Sequence, residues 1–123
     1  MNWELDKSRP ICPQLCELIC VAVAKGEFLA GEKLLSVREI AVLVGVNPNT
    51  VQKSFEELER RGVIHSVRCS GWFVNDNTES AINEVESYRL KKTEEYLVQM
   101  AQLGCNQADV LKYLNQIKEE KHE

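Results

Sequence analysis

Apolar residues recur at helical spacing through the first third of the chain. Between residues 13 and 25 they follow at i, i+3, i+4, i+7 and i+8, which predicts one face of an amphipathic helix. Ser36 and Glu39 form an S-x-x-E capping box, in which each side chain accepts a hydrogen bond from the other residue's backbone N–H. A short second helix should therefore begin after Ser36.

A third helix and two extended runs come next. Gly45 should end the second helix, and Asn47 should cap the third helix with Pro48 at its first position. Residues 63–67 and 72–74 are rich in β-branched or aromatic residues, which favours two strands joined by a turn at residues 68–71. The pattern predicts a helix-turn-helix followed directly by a β-hairpin.

A polar link separates this part of the chain from a helical tail. Residues 75–78 read NDNT, so we place a domain boundary after residue 77. A long helix should run from about residue 80 to residue 103, and a last helix should begin after Asn106. These two helices carry more apolar residues than they can bury against each other, which predicts a dimerisation surface made of Tyr96, Leu97, Met100, Leu111 and Leu114.

The predicted fold is mainly α with a small β-hairpin wing. A winged helix-turn-helix domain should occupy residues 1–77, and a two-helix dimerisation region should occupy residues 78–123. In a DNA-binding helix-turn-helix, the second helix enters the major groove and the helix before it braces against the phosphate backbone. The fold class therefore makes double-stranded DNA the first partner to consider.

The side chains at the predicted groove-binding end have suitable chemistry. Asn and Gln can form paired hydrogen bonds to adenine, Thr can contact the methyl group of thymine, and Lys can reach phosphate or guanine. Arg38 should lie at the start of the bracing helix and Arg68 at the tip of the wing, where either could contact the backbone. The candidates on the third helix are Asn47, Asn49, Thr50, Gln52 and Lys53.

Composition narrows the classes of function. The 123 residues carry 15 Lys and Arg against 19 Asp and Glu, a net charge of −4, so a DNA-binding surface must be arranged locally. No apolar run approaches the ~20 residues of a membrane-spanning helix, and the first residues do not resemble a signal peptide. We therefore expect a cytoplasmic protein. No P-loop, zinc-protease or nucleophile-elbow motif occurs, so we expect neither an enzyme nor a cofactor.

Three cysteines with helical spacing raise the question of a metal site. Cys12 and Cys20 would be separated by ~12 Å of helix rise, whereas two thiolates on one zinc ion lie at most ~4.6 Å apart. One helix cannot bring all three of Cys12, Cys16 and Cys20 to a single ion, so we interpret them as buried or half-buried thiols and expect no metal. A thiol-responsive sensor, acting through these residues or Cys69, stays open as an alternative.

Four segments resemble GntR-type bacterial transcription regulators at matching spacing. They are AGEKLLSVREIA at residues 30–41, GVNPNTVQK at 45–53, ELERRGVI at 57–64 and GWFV at 71–74. The short tail resembles the YtrA-like subfamily, in which it serves dimerisation. The resemblance implies DNA contacts by Arg38, Asn47, Asn49, Thr50, Gln52, and the wing residues Arg68, Cys69, Ser70 and Gly71.

This chain departs from the family pattern at the wing tip and in the preceding loop. Cys69 stands where the wing commonly has glycine, which puts the backbone conformation of the tip in question. Ala30 and Leu35 replace prolines that the family usually has.

We predict a homodimeric, sequence-specific DNA-binding repressor that acts on a palindromic operator. The subfamily resemblance suggests a transporter operon as its target, and the sequence identifies no small-molecule effector. A winged-helix adaptor that binds another protein is the alternative from a different class. The two functions differ in what they require of four cations, Lys33, Arg38, Lys53 and Arg68. A DNA-binding protein must place them on one surface, whereas an adaptor need not.

Overall fold

The computed structural model describes residues 1–117, which divide into two compact units, one of residues 1–86 and one beginning at residue 87. The predicted mainly α fold with a β-hairpin wing is confirmed. Its elements are the helices α1 (Ile11–Ala24), α2 (Val37–Val44) and α3 (Pro48–Arg60), the strands β1 (Ile64–Val67) and β2 (Gly71–Val74), and the helices α4 (Glu79–Gln102) and α5 (Gln107–Gln116).

Helices α1, α2 and α3 enclose the core of the first unit. Helices α1 and α2 both pack against α3, and the side chains between them are fully buried, including those of Leu15, Ile40 and Phe55. The predicted capping box starts α2, since Ser36 Oγ accepts from Glu39 N at 3.1 Å and Glu39 Oε1 accepts from Ser36 N at 2.9 Å. Gly45 ends α2 in the left-handed conformation, with φ +79°.

A third extended segment pairs with the wing, and the sequence pattern did not predict it as a strand. Strands β1 and β2 pair antiparallel, with Ile64 opposite Val74. On the other side of β2, Leu34 N donates to Trp72 O and Val74 N donates to Glu32 O, both at 2.8 Å. The segment of residues 32–34 therefore runs beside β2 and ties the wing to the loop that precedes α2.

The wing is also anchored directly to α3. The rings of Phe55 and Trp72 meet edge to face with their centroids 5.3 Å apart, a favourable aromatic geometry. At the other end, Glu59 Oε2 accepts from Ser66 N at 3.3 Å and from Ser66 Oγ at 3.2 Å. These contacts fix the wing relative to the outward side of α3.

The first unit continues past the polar link into the first turns of α4. Ala81 and Val85 are buried, and Arg61 Nη1 lies 3.5 Å from Glu84 Oε2. The link itself is held in place, because Asn75 Nδ2 donates to Gly62 O at 2.7 Å. The compact unit therefore ends at residue 86, while separate functions for residues 1–77 and 78–123 stay a prediction.

The second unit contains the rest of α4 and helix α5. Gly104, with φ +83°, lies in the turn between them. Asn106 caps α5 as predicted, since its Oδ1 accepts from Asp109 N at 2.9 Å and Asp109 Oδ2 accepts from Asn106 N at 3.1 Å. None of the helices within residues 1–117 is both long enough and apolar enough to cross a membrane.

Candidate nucleic-acid interface

Helix α3 has one buried side and one outward side. Its buried residues include Val51, Phe55 and Leu58. The predicted contact residues lie elsewhere on the helix, where Asn49 and Lys53 are exposed and Thr50 and Gln52 are half-buried. The helix therefore presents polar side chains to the outside over its first two turns.

The N-terminal end of α3 is built by its cap. Asn47 Oδ1 accepts from Asn49 N at 2.7 Å, and Pro48 occupies the first helical position. A helix N-terminus carries unpaired backbone N–H groups and a partial positive charge, both of which favour a phosphate. The Asn47 side chain thus has a structural task that is independent of any contact with DNA.

The start of α2 supplies a cation beside a fixed carboxylate. Arg38 is exposed in the first turn of this helix. The backbone and side-chain hydrogen bonds of Ser36, with a smaller contribution from the charge of Lys33, hold the pKa of Glu39 below its ordinary value. The capping hydrogen bonds of Glu39 therefore persist to lower pH than those of an ordinary glutamate would. Arg38 is an exposed cation next to it in the chain.

The wing tip presents three exposed residues in a tight turn. They are Arg68, Cys69 and Ser70, and the turn is closed by Ser70 N donating to Val67 O at 2.9 Å. Cys69 has φ +64°, so it adopts a left-handed conformation that suits glycine better than a residue with a Cβ atom. The departure noted in the sequence therefore coincides with a strained backbone position.

Gly71 makes room for the side chain of Lys33. A Cβ atom at this position would lie 3.1 Å from Lys33 Cε, so the glycine leaves room for the Lys33 side chain to cross the start of β2. Lys33 is one of the four cations expected on a single surface of a DNA-binding protein, although no contact with DNA was predicted for it individually. Its contribution comes from a pairing between residues 33 and 73 that no local pattern reveals.

The cysteines are distributed as expected for structural thiols. Cys16 and Cys20 are buried, and Cys12 and Cys105 are half-buried, whereas Cys69 is exposed. Cys16 Sγ donates to Ser54 O at 3.6 Å, and burial raises the pKa of this thiol to about 12. Because the thiolate is the reactive form, Cys16 is inert near neutral pH. Across residues 1–117, no three potential ligands are grouped as a metal ion requires.

The predicted dimerisation residues keep much of their surface accessible in the single chain. Tyr96, Leu111 and Leu114 are exposed by 40, 55 and 51%, respectively, and Leu97 and Met100 are half-buried. The second unit therefore displays a set of large apolar side chains that its own helices leave uncovered.

Comparison with known proteins places this geometry in a family. Residues 14–74 match the model of the bacterial regulatory proteins of the gntR family. The chain is 32% identical over 111 residues to the HTH-type transcriptional regulator YhcF of Bacillus subtilis (strain 168). The aligned region covers 90% of this chain and 92% of that protein. It is 35% identical over 91 residues to the HTH-type transcriptional repressor YtrA of the same organism, covering 74% and 70%, respectively.

Solved structures agree with the sequence relatives. A GntR family transcriptional regulator from Listeria monocytogenes superposes with a TM-score of 0.81 at 31% identity, covering 93% of this chain and all of that one. The DNA-binding domain of AraR, crystallised in complex with operator ORX1, gives a TM-score of 0.52 at 28% identity over 57% of this chain and 86% of that one.

The match covers the helix-turn-helix and the wing, and the full-length relatives extend it through the tail. These relatives are transcription regulators and not enzymes, as the sequence predicted. The chain belongs to the GntR family of bacterial regulatory proteins and resembles its YtrA-like members.

Proposed function

We propose that this chain binds double-stranded DNA in a sequence-specific manner and regulates transcription from the cytoplasm. The observation that carries the proposal is the outward side of α3, whose Asn49, Gln52 and Lys53 lie next to the helix N-terminus. Exposed cations lie before this helix at Arg38 and after it at Arg68. The operator complex of the related AraR domain supports this assignment.

Within this proposal, the polar residues on α3 read base edges and the flanking cations contact phosphates. Asn49 and Gln52 carry amides suited to adenine, whereas Arg38, Lys53 and Arg68 carry charges suited to the backbone. The remaining contacts are assigned to Asn47, Thr50, Ser70 and Gly71. Lys33 joins them as a cation of the wing because Gly71 leaves room for its side chain.

The experiment is selection of binding sites from random duplexes, followed by titration of the selected site. Gln52→Ala should weaken binding to that site by ~1–3 kcal/mol and change binding to random DNA little. Arg38→Ala should weaken binding to both kinds of DNA and reduce the salt dependence by about one counterion. Equal losses for Gln52→Ala on both DNAs would show that this residue only positions the protein.

We further propose that the regulator is a homodimer acting as a repressor on a palindromic operator, with a transporter operon as the expected target. The description of the related YtrA as a repressor supports the direction of regulation. The exposed apolar side chains of the second unit support the dimer, since a partner copy would remove them from water. Two-fold symmetry would place the recognition helices about one DNA turn apart, ~34–36 Å.

The dimer is tested by sedimentation of the full chain and of the double variant Leu111→Glu and Leu114→Glu. The double variant should sediment as a monomer and bind the selected site at least tenfold more weakly, because the second half-site contact is no longer intramolecular. Lys112→Glu, at an exposed position on the same helix, should remain dimeric. A monomeric wild-type chain would contradict the proposal.

The adaptor alternative has one observation in its favour. Val42 and Leu43 on α2 are exposed by 82 and 54%, and a pair of apolar residues on a bracing helix suits a protein partner. The same titration separates the two functions, since an adaptor would show no preference for the selected site. For the thiol-sensor alternative, Cys69 is exposed and Cys12 is half-buried, whereas Cys16 and Cys20 are buried. A sensor that acts through Cys69 would change its DNA affinity on oxidation in the wild type and not in Cys69→Ala, whereas an equal change in both would assign it to another cysteine.

A further inference from the structure

The outward side of α3 also carries acidic residues, and one of them, Glu56, lies beside a candidate base-reading residue. Glu56 lies one turn after Gln52 and is exposed. Gln52 Nε2 donates to Glu56 Oε2 at 3.3 Å. A carboxylate close to the expected path of the phosphates would repel DNA, so its presence beside a candidate base-reading residue calls for a function.

The chemistry of this pair fixes which way the Gln52 amide is turned. An ionised carboxylate only accepts hydrogen bonds, whereas a Gln amide has an oxygen that accepts and an NH₂ group that donates. The reversed amide would bring its oxygen against the carboxylate oxygens of Glu56. Glu56 therefore holds the NH₂ end of Gln52, which leaves Gln52 Oε1 and one N–H for another partner.

That remaining pair of groups matches one purine and not the other. In the major groove adenine presents an acceptor at N7 and a donor at N6, whereas guanine presents two acceptors, N7 and O6. One acceptor and one donor on Gln52 complement adenine. Guanine would need two donors, and one of the two N–H groups of Gln52 is already engaged by Glu56.

We propose that Glu56 is a positioning residue that makes Gln52 select adenine over guanine, which rests on the proposed DNA-binding function. Glu56 contacts the amide and not the base. The carboxylate also weakens binding to all DNA by repulsion, so the residue exchanges affinity for discrimination. Removing the Glu56 carboxylate should therefore lower the preference for adenine and raise the affinity for random DNA. Loss of a purely structural residue would not shift these two quantities in opposite directions.

The experiment is selection from random duplexes with the full chain and four variants, followed by titration of duplexes that differ only in adenine or guanine at the selected position. Gln52→Ala identifies the position that this residue reads. Glu56→Ala should reduce the preference for adenine there about threefold to tenfold, the effect of one net hydrogen bond. It should also raise affinity for random DNA about two- to threefold.

Two further variants separate orientation from charge. Glu56→Gln keeps an acceptor for the Gln52 amide, so it should retain most of the adenine preference while sharing the gain on random DNA. Glu27→Ala removes an exposed carboxylate that lies in the turn after α1 and pairs with Lys25. This control should change neither quantity.

An unchanged adenine preference in Glu56→Ala would overturn the proposal. So would a change at a position other than the one read by Gln52, because it would mean that Glu56 contacts a base itself, as a carboxylate can at cytosine N4. A wild-type chain that selects no sequence would contradict DNA recognition as a whole, which distinguishes failure of the proposed function from failure of this inference.

Discussion

Replacing Cys69 by glycine should stabilise the protein. The residue has φ +64°, a conformation in which the Cβ atom of an L residue crowds the following carbonyl oxygen, at a cost of roughly 1–2 kcal/mol. Glycine removes this cost but gives the unfolded chain more freedom, which offsets about 0.5–1 kcal/mol. Strain relief is the larger effect, so the free energy of unfolding should rise by about 0.5–1 kcal/mol.

The assay is equilibrium unfolding in urea, with Cys69→Ala as the matched control. Alanine keeps the Cβ atom and the strain while removing the thiol, so it should match the wild type within about 0.5 kcal/mol. The glycine variant should also melt a few degrees higher, at about 4 °C per kcal/mol for a chain of this size. A glycine variant no more stable than the alanine variant would refute the inference that the wing tip is strained.

Three further changes test other parts of the structure. Burial raises the pKa of the Cys16 thiol from 9.0 to about 12, so with rising pH the thiol of the unfolded chain ionises first. Between these two pH values the wild type should lose about 1.4 kcal/mol of stability per pH unit relative to Cys16→Val, and parallel pH profiles of the two proteins would contradict this. Arg68→Ala should reduce the slope of log K against log salt by about 0.9 and leave the thermal midpoint nearly unchanged, whereas a clear loss of stability would make the residue structural. A chain that ends at residue 86 should fold. A chain that ends at residue 77 should have a free energy of unfolding in urea about 2–4 kcal/mol lower, because it lacks the buried Ala81 and Val85. Equal stability of the two chains would show that these residues contribute nothing.

The helices of the first unit were predictable because their signals are local. The capping box at Ser36 and Glu39, the cap at Asn47 and the glycine after α2 all act within four residues of the helix end that they define. The tail cap at Asn106 is equally local. Helical spacing also accounts for the buried side of α3, since Val51, Phe55 and Leu58 follow at i, i+4 and i+7 and all three are buried.

The contacts that the pattern missed join residues far apart in sequence. The pairing of residues 32–34 with β2 and the passage of Lys33 over Gly71 depend on how the loop before α2 meets the wing. The end of the compact unit at residue 86 depends on such distant contacts too, whereas the functional boundary after residue 77 stays a prediction. A polar link ends a run of strands, but only packing shows that the first turns of α4 belong to the core.

The sequence predicts which residue types form the candidate site. It predicts less well which of these residues would contact DNA and which would position another residue. Helical spacing alone places Gln52, Lys53 and Glu56 toward one side of α3, but Glu56 acquires a function only when its hydrogen bond to Gln52 is seen. Asn47 shows the converse, because its side chain caps the helix whether or not DNA is bound.

The most direct measurement is the affinity of the wild-type chain for its selected duplex and for a scrambled duplex of the same composition, at one physiological salt concentration. A sequence-specific regulator should bind the selected duplex at least ~10³-fold more tightly. Gln52→Ala should reduce this ratio, and the selected site should contain two inverted half-sites about 10 base pairs apart, centre to centre. Equal affinity for the two duplexes would contradict sequence-specific recognition by helix α3.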